Sequence, residues 1–103
     1  MLAVIARIEI NPNHIDQYIA AATAGIDATR AEPGCQQYAF SRDLLQPNVL
    51  WVSEQWESEA ALQTHLRTPH VQKLLADTAD LEIISMDDRV YECDMYGRVT
   101  MPQ

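Results

Sequence analysis

The sequence predicts an α+β fold in which two helices cover one face of a four-stranded antiparallel sheet, with elements in the order β-α-β-β-α-β. Three observations predict it. Apolar β-branched residues alternate through Leu2 to Ile10, Ile15, Tyr18, Ile19, Ala22 and Ile26 recur at helical spacing, and two aromatic-bearing strand patterns flank the turn from Asp43 to Asn48. With 103 residues there is room for one core, so residues 1–103 are read as a single domain. This is the ferredoxin-like split βαβ arrangement.

The first strand, Leu2 to Ile10, is apolar on both sides at its start and stops at Asn11-Pro12-Asn13. Asn13 is placed to cap a helix, with Asp16 complementing its amide end, and the periodicity carries one amphipathic helix to near Arg30. Glu32-Pro33-Gly34 is turn chemistry. Cys35 to Arg42 follows as a strand with Tyr38 and Phe40 on one face, and Val49 to Glu57 pairs with it as a hairpin. Ser58 caps a second helix carrying Leu62, His65 and Leu66 on one stripe, and Thr68-Pro69 reads as a fresh cap with proline at the first helical position. That helix is therefore broken near Pro69 and resumes through Val71, Leu74 and Leu75. Glu82 to Tyr96 is again strand-like, with Asp87-Asp88 marking a turn or bulge.

Apolar residues make up 48% of the chain and charged residues 21%, a globular balance. The formal charge of -8 repels phosphate backbones and acidic membrane surfaces, so nucleic acid and membrane are excluded as partners. Cys35 and Cys93 have neither metal-ligand spacing nor a disulfide pattern, which suits a reduced, cytoplasmic setting. No signal-peptide pattern and no apolar run near the roughly 18 residues of a membrane span is expected here. The first strand and Trp51 leave the uncovered sheet face apolar, which predicts a homodimer.

Glu54-Gln55-Trp56-Glu57-Ser58, Leu62 and His65-Leu66-Arg67-Thr68-Pro69-His70 together resemble the strand-to-helix signature of the antibiotic biosynthesis monooxygenase domain family. Met1-Leu2-Ala3-Val4-Ile5-Ala6 and the Glu32-Pro33-Gly34-Cys35 turn also resemble it, especially its bacterial quinol monooxygenases. The resemblance implies a homodimer forming an α/β barrel, a cavity between helices and sheet in each subunit, and oxygenation of a small aromatic by O2 without metal, flavin or heme. The absence of a dinucleotide fingerprint or phosphate loop agrees with the expectation of no cofactor and no metal. Heme-degrading relatives carry an asparagine, a tryptophan and a histidine where Arg7, His65 and Leu75 stand here, which argues against that activity.

His65, on the inward stripe near the carbonyl end of its helix, is placed to take a proton from a phenolic hydroxyl or to hold the phenolate; a core histidine bonded to a carbonyl is the alternative. Glu54, among Leu50, Val52 and Trp56, must pair, bond or protonate, and Arg7 on the neighbouring first strand is its expected partner. Glu54 and His65 are the catalytic candidates. Tyr38, Phe40, Trp56, Arg7 and His70 are the candidates for substrate binding, although at strand spacing the aromatics also read as core, and His70 also reads as a structural bond across the kink. His14, at an exposed helix start, is assigned no role.

Overall fold

The computed structural model describes residues 1–103. Its elements are β1 (Leu2–Ile10), α1 (Ile15–Ala24), α2 (Ile26–Arg30), β2 (Cys35–Arg42), β3 (Val49–Trp56), α3 (Glu59–Leu66), α4 (Pro69–Asp77) and β4 (Ile83–Glu92). The four strands form one antiparallel sheet in the order β2-β3-β1-β4. This is the predicted architecture.

β1 positions the rest because its even-numbered residues, Leu2, Val4, Ala6, Ile8 and Ile10, all face the helices and are buried. Opposite them stand Trp56, Glu54, Val52 and Leu50 of β3, so the same parity fixes which β3 residues reach the helical side. Ile15, Tyr18 and Ala22 of α1 close the core from above. The other sheet face carries Ile5, 46% exposed, and Trp51, 38% exposed, so it is open and apolar in part as expected. No helix is long and apolar enough to cross a membrane.

Several boundaries differ from the sequence reading. Asn13 does not cap α1; its N–H donates to Asn11 Oδ1 at 2.9 Å in an Asx turn, and the helix begins two residues later. His14 stands at the cap position without a side-chain cap, and its Nδ1 instead accepts the Glu82 N–H at 3.0 Å, tying the start of α1 to the approach to β4. The single helix expected to Arg30 is split at Gly25, where the Thr23 hydroxyl donates back to the Ile19 carbonyl at 2.7 Å and glycine follows with its low helix propensity. β4 is regular through Asp87 and Asp88, which pair with Arg7 and Ala6; its irregularity lies between Glu9 and Ile10 of the partner strand. An edge strand exposed along its length tolerates two aspartates without bulging. β4 stops at Glu92, short of Tyr96, after which the Cys93 N–H and carbonyl bond to the carbonyl and amino group of Met1.

Candidate active site

Ser58 and Thr68 do cap α3 and α4: the side chain of each accepts a backbone N–H three residues on, from Ala61 and Val71 respectively. The Thr68 hydroxyl also donates to the His65 carbonyl at 2.7 Å, pinning the break between the helices. His65 at the end of α3 and His70 at the start of α4 are thereby turned toward one point. That point is the carboxylate of Glu32, whose Oε2 lies 2.7 Å from His65 Nδ1 and 2.8 Å from His70 Nε2.

Glu32 reaches them because of the turn that follows it. Gly34 has φ of 85°, and a Cβ on it would stand 2.7 Å from the Ala61 Cβ of α3. Only glycine permits both that conformation and that approach. The Gly34 carbonyl then accepts the Glu57 N–H at 2.8 Å, fastening the turn between the end of β3 and the start of α3. Sequence reasoning read Glu32-Pro33-Gly34 as turn chemistry and missed Glu32 as a site residue. An acidic residue just before a Pro-Gly turn gave no signal that it would be carried under a helix 33 residues away.

His65 is 4% exposed and sits in an aromatic cage. The Trp56 ring centroid is 4.6 Å away at an interplanar angle of 34°, and the Tyr38 ring meets it edge-on at 5.5 Å. Trp56 is fully buried, so it supports His65 from beneath and presents no face to a ligand, contrary to the expectation that it binds substrate directly. Its indole N–H donates to Glu54 Oε1 at 2.9 Å. Burial pushes the Glu54 carboxyl above its ordinary value, against the Trp56 bond and the neighbouring His65 that lower it and with Asp88 and Glu32 adding to the rise. Tyr38, opposite Glu54 across the β2–β3 pair, is held far above the ordinary phenol value by burial first and by Glu54 next, so its hydroxyl stays a donor.

Glu54 opens onto a cleft of about 210 Å³ between α3 and the sheet, lined by Val4, Glu54, Leu62, Leu66, Asp88 and Val90. Asp88 is a second residue the sequence reading did not assign; the alternation of β4 places it on the helical side. Phe40 packs edge-on to Tyr38 at 5.6 Å but lines a different hollow, of about 180 Å³, with Ile19, Ala22, Ile26 and Leu50. Arg7 is on the other side of the sheet. It faces Glu9 at 3.5 Å and Gln46 at 3.2 Å, not Glu54, because residue 7 is odd in a strand whose even residues face inward. The expected Arg7–Glu54 ion pair does not form.

The ligand atoms of Glu32, His65 and His70 lie within 4.8 Å of one another. Two imidazoles and a carboxylate are a donor set that zinc uses elsewhere, and here the same atoms are joined to one another by hydrogen bonds. The triad is graded in side-chain exposure from 5% at His65 through 10% at Glu32 to 22% at His70.

The profile of the antibiotic biosynthesis monooxygenase family matches residues 1–77. The chain is 33% identical over 102 residues to the Escherichia coli protein named probable quinol monooxygenase YgiN, covering 89% of this chain and 97% of that one. It is 29% identical over 91 residues to an uncharacterized Synechocystis protein, covering 88% of this chain but spanning only 62% of that longer relative. Among solved structures, a Deinococcus radiodurans protein described with the same family name superposes with a TM-score of 0.87 at 25% identity, covering 97% of this chain and 99% of its own. Rv0793 of Mycobacterium tuberculosis superposes at 0.84 with 28% identity, covering 94% and 98%.

Proposed function

The chain belongs to the antibiotic biosynthesis monooxygenase family, and from that premise we propose that it is a cofactor-independent monooxygenase oxidising a small electron-rich aromatic, a quinol or polyphenol, with O2. One observation carries this reading: a largely apolar cleft lined by a half-buried carboxylate held above its ordinary pKa, Glu54, lies beside a histidine with one ring nitrogen free. His65 Nε2 has no hydrogen-bond partner and is not fully buried. The cleft is smaller than the roughly 300 Å³ at which pockets for drug-sized ligands begin, which favours a small ring.

In this mechanism Glu54 accepts a hydrogen bond from one ring hydroxyl and Tyr38 donates to a ring oxygen, while His65 Nε2 takes the proton that leaves. The phenolate is electron-rich enough to reduce O2 directly. A ring carbon–oxygen bond forms as a hydroperoxide, the O–O bond breaks with loss of water, and one oxygen atom stays on the ring. Both electrons for O–O cleavage come from the substrate, so no external reductant enters. The leucines and valines of the cleft exclude bulk water from the anion.

We also propose that two copies pair through the open sheet face, with Ile5 and Trp51 at its centre. The reaction is tested by O2 uptake with a chemically reduced quinol, corrected for autoxidation, and by product mass with labelled O2. One labelled oxygen atom per product is expected, with turnover lost in His65→Ala. Uptake no faster than autoxidation, or a product isomeric with the substrate, would refute the reading, the latter in favour of an isomerase on the same fold.

A further inference from the structure

We propose that Glu32 is a positioning residue for the reaction: it fixes His65 as the tautomer whose Nε2 lone pair is free, and His70 holds Glu32 in place to do so. The inference deepens the monooxygenase reading and, for its kinetic arm, rests on it.

Glu32 offers its Oε2 to two rings at once, 2.7 Å from His65 Nδ1 and 2.8 Å from His70 Nε2. An ionised carboxylate only accepts, so at both contacts the ring nitrogen must carry the hydrogen. For His65 this leaves one arrangement of a neutral ring: N–H at Nδ1, lone pair at Nε2. The opposite tautomer would set two lone pairs against each other at 2.7 Å in a place where the His65 side chain is only 5% exposed. Glu32 Oε2 is the only hydrogen-bond partner of Nδ1, and Trp56 and Tyr38 pack against the ring.

When Nε2 takes a proton, the positive charge formed in the ring lies against a carboxylate already in place. No reorganisation is needed at that moment, which is what makes such a partner effective in a poorly solvated site. His70 supplies the second bond to the same oxygen, and Thr68, bonded to the His65 carbonyl, fixes the spacing between the two rings. The Gly34 turn holds Glu32 from the other side.

The test has a spectroscopic arm that needs no substrate and a kinetic arm. In nitrogen-15 NMR of histidine-labelled protein, His65 of the native chain is expected as the Nδ1–H tautomer and His70 as Nε2–H. In Glu32→Ala the His65 resonances should move toward an Nε2–H population, because Nδ1 loses its acceptor, whereas the isosteric Glu32→Gln, whose amide oxygen keeps two lone pairs, can hold the Nδ1–H tautomer but carries no charge to face the imidazolium. Per folded protein, kcat with the quinol should fall on the order of a hundredfold in both, the scale of a positioned base, with KM changed by less than about threefold. Glu32→Asp should restore the tautomer and part of kcat. His65 keeping its native tautomer in Glu32→Ala, or kcat unchanged in both variants while only thermal stability falls, would overturn the proposal. If the native chain oxidises no quinol, the functional reading fails, and the NMR arm still decides whether Glu32 sets the tautomer.

Discussion

Replacing Gly34 by alanine should damage the fold at the point where it delivers Glu32. The residue has φ of 85°, where an L side chain costs about 1–2 kcal/mol. The new Cβ would also stand 2.7 Å from the Ala61 Cβ, closer than carbon atoms approach, and such overpacking costs about 1–3 kcal/mol when backbone must shift. The sum, about 2–5 kcal/mol, is a large part of the roughly 5–15 kcal/mol that holds a domain folded. For a chain of this size each kcal/mol moves the midpoint by about 4–8 °C, so Gly34→Ala should melt at least about 8 °C lower by circular dichroism. The two contributions separate in a double-mutant cycle with Ala61→Gly. That change alone costs about 1 kcal/mol of helix propensity. Combined with Gly34→Ala it should cost less than the sum, by the share of the clash it relieves. A Gly34→Ala midpoint within about 1 °C of native would refute the account of the turn, and strict additivity would refute the clash.

Glu54→Gln should abolish most turnover yet raise the melting temperature at pH 7.5. The sign follows from burial: a carboxyl whose folded pKa is raised binds its proton more tightly folded than unfolded, so stability falls as pH climbs from the ordinary carboxylate value through the raised one. The gain should vanish near pH 4, where both states are protonated, and thermal melts at the two pH values check it. Asp43 behaves oppositely. The Trp51 indole N–H and the Leu45 and Gln46 amides hold its carboxyl below the usual range, so its contribution is present above the ordinary value and lost as pH falls through the lowered one. Asp43→Asn should flatten that acid limb in a pH-dependent melt. Ser58→Ala removes the acceptor for the Ala61 N–H and should cost about 1 kcal/mol, read from a urea midpoint.

The order of the elements was legible along the chain, because alternation and helical spacing are local and each strand and helix here obeys them. So were the caps at Ser58 and Thr68, where a hydroxyl, a proline and an apolar stripe sit within one turn of chain, and the place of His65 on the inward face. Even the separation of Arg7 from Glu54 was within reach, since register and parity follow from the hairpin geometry; assuming that neighbouring strands bring their charged residues together was the error. What His65 meets was set only when the chain folded. Glu32 comes to His65 from a turn, Asp88 comes to the cleft beside Glu54 from an edge strand, and no spacing rule links them to the helix. The physical reason is that periodicity records which face of an element is buried, whereas a site is set by which faces of separate elements converge. That convergence depends on one close contact between Gly34 and Ala61, which pattern along the chain does not encode.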